Sequence, residues 1–320
     1  MPLASKTDTD LQSIIKAQIA LEKHGDKEGS LTIKSKLPLL HYMEARRLGQ
    51  ELKDLQGLEC LGMDEAFLNE SKIFTPQFIK WFKDIELPKA QVIIKDSTLE
   101  VKVTGSLAAL ALVEVPLLAI MSEHFYSVSM AKMNLSESLV LSEAIRRFQV
   151  KADVLREYPN IKIVVGGTKN RFSFEWQNML FTLLVGEFGD RLIGTTNPII
   201  GLSYGIDVKS YLNSDMWADE WPTKDIYPVY PSPKGWKGAR LDLTTIEGLK
   251  SIIDKEDKNF TFVLTDMPSF DIAHLQSHIA NTNIIYEFEN FITNDISIKN
   301  PQFEVIRKVS TKINNKVPVV

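Results

Sequence analysis

Residues 161–221 read IKIVVGGTKNRFSFEWQNMLFTLLVGEFGDRLIGTTNPIIGLSYGIDVKSYLNSDMWADEW, and their pattern decides the fold class. Two short β-rich apolar runs, residues 161–165 and Leu192-Ile193, each open into glycine and hydroxyl residues. Between them residues 174–185 are amphipathic and long enough for a helix. Strand, polar tip, helix, strand, polar tip is the order by which α/β barrels and open parallel sheets place polar groups at the carboxyl ends of their strands.

Working outward, the alternation continues toward the C-terminus. ARLDL (239–243), FTFVLTD (260–266) and NIIYEF (283–288) read as strands, with TTIEGLKSIIDKED (244–257) and SFDIAHLQSHIAN (269–281) as helices between them. That favours a parallel, barrel-like sheet. Residues 222–238, which carry several prolines and Trp236, have no regular period and read as a surface loop.

Toward the N-terminus the character is different. LQSIIKAQIALEKH (11–24) predicts a helix capped by Asp8-Thr9-Asp10, and residues 31–40 a strand that loses its pattern at Pro38. Helical periods follow over 42–58 and 74–85, the latter with Pro76 near its first turn. AQVIIKD and LEVKVTG alternate around Asp96-Ser97 as a hairpin. Residues 107–130 read as one buried helix or two pieces, with Pro116 best placed in a first turn, and 136–158 as a long helix capped by Ser136. FEVIRKVS and KVPVV predict a terminal β pair around Asn314-Asn315. Residues 89–105 and 302–320 are expected to pair into a small separate domain.

Composition bounds the function. The chain has 320 residues, 36.2 kDa, 44% hydrophobic and 24% charged residues, enough for a substantial core and not the composition of a disordered chain. A formal net charge of -4 argues against a general nucleic-acid binder, while leaving room for a small phosphorylated ligand held by local cations. Cys60 is the single cysteine, which excludes an intrachain disulfide and fits a reducing, cytoplasmic setting. The N-terminus has no apolar stretch of the secretory kind. The most apolar run, residues 107–121, is too short to span a bilayer and reads as buried core.

The polar tips carry the candidate chemistry. Gly166-Gly167-Thr168 reads either as a nest of backbone N–H groups for phosphate, with Lys169 and Arg171 as its cations, or as a plain strand–helix turn. Gly194-Thr195-Thr196-Asn197-Pro198 repeats that design one strand later. Neither GxxxxGK[ST] nor GxGxxG occurs, so nucleotide binding by the commoner routes has no support. Asp215, Asp219 and Glu220 form an acidic tip that suits Mg²⁺ or a solvated loop. His274 and His278 have metal-ligand spacing with no third ligand in view, and are otherwise surface histidines. His24 and His41 read as exposed, and His124 as the end of the apolar helix. Arg240, Asp242 and Asp266 stand at or near strand ends, where each is otherwise a salt bridge or a cap.

Taken in order, these segments resemble the nicotinate phosphoribosyltransferases. Asp8-Thr9-Asp10, the Glu114-Val115-Pro116 run within 105–126, GGTKNRFS (166–173), GTTN (194–197), ADEW (218–221), ARLDLTT, VLTD and the C-terminal hairpin each match a family segment. The resemblance implies an incomplete or modified (β/α) barrel of the type II phosphoribosyltransferase kind. It places a small α+β domain in residues 1–112 plus 300–320 and the barrel in 113–299. It also implies a homodimer and a reaction joining nicotinate to phosphoribosyl pyrophosphate, with Mg²⁺ and a phosphorylated histidine. Carried over residue by residue, ligand binding falls to Asp10, Gly167, Thr168, Lys169, Arg171, Thr195, Asn197, Arg240, Asp242 and Asp266.

The departures fall on the chemistry. The histidine position is Asp219, which cannot serve as a durable phosphoryl acceptor. Only Arg171 remains of three tip arginines, after Lys169 and Asn170, and lysine keeps the charge without the bidentate fork. The base-stacking tyrosine is Gln12. Leu243-Thr244-Thr245 removes a carboxylate, and residues 288–294, FENFITN, put Glu289 where a glycine-rich phosphate loop belongs. The sequence therefore predicts a non-catalytic or strongly impaired relative with a binding, structural or assembly role. The alternative is an active transferase, the only case in which it predicts a metal. It points to a protein partner or self-association, a phosphoribosyl or nicotinate-like ligand at most, and neither nucleic acid nor membrane.

Overall fold

The computed structural model describes residues 3, 5–36, 42–95, 98–209, 238–241, 261–265, 283–288 and 301–310. Helix α1 (Leu11–His24) forms over the expected residues and ends at Gly25, whose φ of 55° suits a residue without Cβ. Asp10 stands at its N-cap position but makes no side-chain cap bond, because its carboxylate is engaged elsewhere. Strand β1 (Glu28–Lys36) follows, with alternate residues buried. Helices α2 (Tyr42–Asp54), α3 (Gly62–Glu70) and α4 (Pro76–Asp84) come next; Thr75 caps α4 through Phe78 N–H, with Pro76 in the first turn. The apolar pattern of α3 is too short to be legible in the sequence.

Strands β2 (Ala90–Lys95) and β3 (Thr98–Ser106) form the expected hairpin, whose turn lies outside the described residues. Helix α5 (Leu107–Met133) is one continuous element of 27 residues, not two pieces, and Pro116 lies inside it rather than in a first turn. A proline there removes one backbone hydrogen bond, at a cost of about 3 kcal/mol in an isolated helix. Burial offsets that loss: 89% of the most apolar 18-residue window of α5 is buried within the protein, although the helix is long and apolar enough to cross a membrane. His124 is consequently interior to α5 and buried, rather than at a helix end.

Helix α6 (Glu137–Arg156) is capped by Ser136, then come β4 (Lys162–Val165), α7 (Phe174–Phe188) capped by Ser173, β5 (Leu192–Thr195) and α8 (Pro198–Tyr204) capped by Asn197. Beyond residue 209 the described elements are β6 (Gly238–Leu241), β7 (Thr261–Thr265), β8 (Asn283–Phe288) and β9 (Phe303–Val309). The expected helices over 244–257 and 269–281 and the strand KVPVV lie outside the described residues.

Two sheets result. One is antiparallel with strand order β2-β3-β1-β9. The hairpin and the C-terminal strand thus share a sheet as expected, but do not pair with each other. The strand β1 lies between them and bonds to both. The other sheet is parallel, β5-β4-β8-β7-β6, and Thr195 bridges to Val208 beyond β5. The last strand, β8, pairs with the first, β4, which is the return a barrel requires. Between Val208 and β6 the described sheet is open. The protein is therefore a mixed α/β fold with an incomplete barrel of the type II phosphoribosyltransferase kind.

Helix α5 joins two cores. Its residues up to Met121 pack with α1, β1, β3 and α2–α4, while Tyr126 packs with α6, α7, β4 and β5. The boundary expected between residues 112 and 113 falls inside this helix. Its two carboxylates each hold an arginine from far along the chain. Arg307 of β9 bonds to Glu114 through two nitrogens at 2.8 and 2.5 Å, and Arg171 bonds to Glu123 at 2.6 Å.

The antiparallel sheet and α5 meet at Gly29, where a Cβ would stand 2.6 Å from Leu107 Cδ2 and 2.7 Å from the Lys308 carbonyl oxygen. The carbonyl belongs to the paired backbone and cannot swing away. Gly29→Ala is expected to lower unfolding stability by about 1–3 kcal/mol in urea denaturation; an unchanged midpoint would contradict this packing.

Candidate functional site at the strand tips

The carboxyl tips of β4 and β5 lie side by side, and the segment before α1 is laid across them. Thr196 N–H and Thr195 Oγ1 both donate to the Val165 carbonyl, at 3.0 and 2.8 Å. Leu11 N–H donates to the Thr196 carbonyl at 2.6 Å, and Thr196 Oγ1 to Asp10 at 2.7 Å. Several polar residues of the strap have a clear task. Ser5 and Thr7 donate to the buried Asp64 carboxylate, and Lys6 Nζ donates to the carbonyls of Phe82, Lys83 and Ile85 at the end of α4. That placement satisfies helix carbonyls and puts a cation at the negative end of the helix dipole.

Asp8 is the junction. It is wholly buried, and its carboxylate accepts from Arg171 Nη1 at 2.8 Å, Arg171 Nη2 at 3.1 Å and Asn197 Nδ2 at 2.9 Å. Arg171 also donates to Glu123 and, at 3.4 Å, to Gln177 Oε1, and its guanidinium lies 5.3 Å from the Phe174 ring centre. Only 2% of its side chain is exposed. Asn197 Nδ2 also donates to Thr168 Oγ1 at 3.2 Å, while Asn197 Oδ1 caps α8 by accepting from Ile199 and Ile200 N–H.

The tip of β4 turns at Gly167, with φ of 94° and ψ of 18° in the left-handed region that glycine alone enters without strain. A single 3-10 turn, Thr168–Asn170, follows, and Ser122 Oγ donates to the Lys169 carbonyl. Thus Asp10, Gly167, Thr168, Lys169, Arg171, Thr195 and Asn197, singled out in the sequence, do come together. Arg240 lies in β6, of which only the backbone is described; Asp215, Asp219, Glu220, Asp242, Asp266, His274, His278 and residues 289–294 lie outside the described residues. Asp8, Glu123 and Gln177 escaped the selection of site residues. A lone carboxylate in the apolar second half of α5 was the available signal for Glu123.

Electrostatically the cluster has two carboxylates around one guanidinium. Burial alone would lower the Arg171 pKa, but Asp8 and then Glu123 more than reverse that and raise it. Glu123 is pushed up to about 7, because burial outweighs the pull of a guanidinium already neutralised by Asp8. Thr9 Oγ1, Gln12 Nε2 and Gln177 Nε2 are buried without a hydrogen-bond partner among the described residues. For Mg²⁺ the described residues do not fit. Asp8 is committed to Arg171 and Asn197, Asp10 accepts from Thr196, and no trio of His, Cys, Asp or Glu among the described residues is placed to hold a metal ion.

A strand sheet that returns on itself, with glycine and hydroxyl tips beside one another, defines the class as a type II phosphoribosyltransferase-like α/β barrel. Residues 7–122 match the family model for the nicotinate phosphoribosyltransferase (NAPRTase) N-terminal domain. Solved structures agree over nearly the whole length. A nicotinate phosphoribosyltransferase from Vibrio cholerae superposes with a TM-score of 0.78 at 16% identity, over 95% of this chain and 86% of that one. The Porphyromonas gingivalis enzyme gives 0.74 at 16% identity over 96% and 90%. A putative nicotinate phosphoribosyltransferase from Saccharomyces cerevisiae gives 0.72 at 15% over 95% and 90%. Residues 7–122 thus resemble the N-terminal domain of the nicotinate phosphoribosyltransferases, and the chain as a whole shares their fold.

The Glu123 pKa has a testable sign. Between about pH 4.5 and 7 the native carboxyl holds a proton that the unfolded one has lost, so this group's contribution to stability falls as pH rises through that window. Glu123→Gln removes the titration. The variant is expected to gain on the parent by on the order of 1 kcal/mol between about pH 5 and about pH 8, read from urea midpoints. Parallel pH profiles would rule out a raised Glu123.

Proposed function

We propose that this protein is a non-catalytic or strongly impaired nicotinate phosphoribosyltransferase-like protein with a binding, structural or assembly role. The observation that carries this reading is the state of Arg171. As the sole arginine left at the first tip, it is the natural partner for a phosphate, yet its guanidinium is buried against Asp8 and Glu123. Withdrawing it to meet a ligand would strand the buried Asp8 carboxylate, at about 3–5 kcal/mol. Thr168, Thr195 and Asn197 are likewise committed to internal bonds. The substitution of Asp219 at the family's histidine position points the same way.

One observation favours the alternative, an active transferase making nicotinate mononucleotide. The orphaned Gln12 Nε2 and Gln177 Nε2, with the left-handed turn at Gly167, are what a mouth still built for a polar ligand would contain. The two readings separate in one experiment. Calorimetry with phosphoribosyl pyrophosphate and Mg²⁺, followed by a pyrophosphate-release assay with nicotinate, with and without ATP, is expected to show neither saturable heat nor turnover. Turnover, or binding weakened at least about tenfold by Lys169→Ala in a variant with an unchanged circular dichroism spectrum, would overturn the non-catalytic reading.

In the proposed role the protein is cytoplasmic and self-associates as a homodimer. Apolar side chains left on the outer face of α6, Leu139 at 58% and Val150 at 54% exposure, support a need for cover. Light scattering is expected to give twice 36.2 kDa, and a mass of one chain at micromolar concentration would contradict the dimer.

A further inference from the structure

The antiparallel sheet has an edge strand on each side, and the two are built differently. Strand β9 carries three charged residues among its seven, Glu304, Arg307 and Lys308, all exposed. Charges of that kind keep an open sheet edge from pairing with another chain. Strand β2, AQVIIK, has no charged residue before Lys95 and no proline. Its register with β3 runs unbroken from Ala90↔Val103 to Lys95↔Thr98, so no bulge twists this edge away. Among the described strands its one neighbour is β3.

The side chains of β2 are open as well. Ile93 is 48% exposed and Ile94 44%. Consecutive residues of a strand point to opposite faces, so this edge shows apolar surface on both. Ile94 stands beside Leu99, which is buried in the core, yet is itself nearly half open. The core face of the sheet therefore runs past β2 without cover. Ile93, on the other face, stands beside Glu100.

We propose that two copies of this chain pair antiparallel along β2, centred on Ile93, and so join their sheets into one. The inference rests on the self-association proposed above and names a contact for it. A two-fold axis through the sheet keeps core face with core face only when the pairing is centred on a residue. Centred on Val92, it would set Lys89 opposite the partner subunit's Lys95, and like charges directly opposite are destabilising. Centred on Ile94, it would set Ile93 opposite the partner subunit's Lys95. Centred on Ile93, that residue meets its own copy, Val92 meets the partner subunit's Ile94, and Gln91 meets the partner subunit's Lys95. The last register matches apolar with apolar and opposes no like charges. That fit of the strand to itself selects a second copy over an unrelated extended peptide.

The test is disulfide trapping in the full chain with Cys60→Ser, which removes the single native cysteine. Residues 91 and 93 are both exposed, so Gln91→Cys and Ile93→Cys should each keep the fold. Under mild oxidation Ile93→Cys is expected to form a linked dimer at least about tenfold faster than Gln91→Cys, because only residue 93 comes within disulfide reach of its own copy. Light scattering of Ile93→Lys, which sets two like charges face to face, is expected to need at least about tenfold more protein to reach the dimer mass. Equal trapping rates at the two positions, or a dimer undiminished by Ile93→Lys, would overturn the β2 contact and leave the homodimer standing. A parent chain of single mass that traps at neither position would remove both.

Discussion

One guanidinium fixes the relation between the chain's beginning and its barrel. Arg171, just past the β4 tip, is held by Asp8 from the strap before α1 and by Glu123 from the middle of α5. Asn197, from the β5 tip, closes the same cluster through Asp8. Segments 48 and 163 positions from Arg171 thus share one buried charge with it. Buried ion pairs contribute little net stability when formed, but removing a single member leaves an uncompensated charge in a low-dielectric interior. The cluster therefore acts chiefly on specificity: alternative placements of the strap strand either Asp8 or Arg171.

The same residues set the character of the mouth. A phosphate site needs cations and N–H groups that remain unsatisfied until the ligand arrives. Here the arginine, both threonines and the asparagine are satisfied by the protein itself. The tip turns at Gly167, while the side chains around it are bonded inward and hold the strap. Helix α5 repeats the device at its other carboxylate, where Glu114 holds Arg307 and with it the C-terminal strand. The two acids of an otherwise apolar helix set where the chain's distant segments attach.

Much of this was legible in the sequence and some was not, for physical reasons. Residues 11–24, 90–106 and 174–188 announced themselves because period and caps agree, and the strand tips because glycine and hydroxyl residues follow β-branched runs. Pro116 misled because local rules count its missing N–H and cannot count the burial that outweighs it. The position of β1 between β3 and β9 is a matter of register across the whole chain, which no local pattern carries. Asp10 and Asp8 were read as capping groups because Asp before a helix usually is one. Their partners, Thr196 and Arg171, lie more than 150 residues away, and only the fold brings them together. Glu123 drew no notice just beyond an apolar run whose hydrophobicity is the stronger signal, and His124 was read only as the end of that helix.

The central claim is that Arg171 is a structural anchor and not a reserve cation. A double-mutant cycle on unfolding stability, with Asp8→Asn, Arg171→Met and both together, measures it directly. A coupling energy of about 2 kcal/mol or more is predicted, with the double variant more stable than the sum of the single losses requires. Additive losses, with a coupling within about 0.5 kcal/mol of zero, would contradict the account.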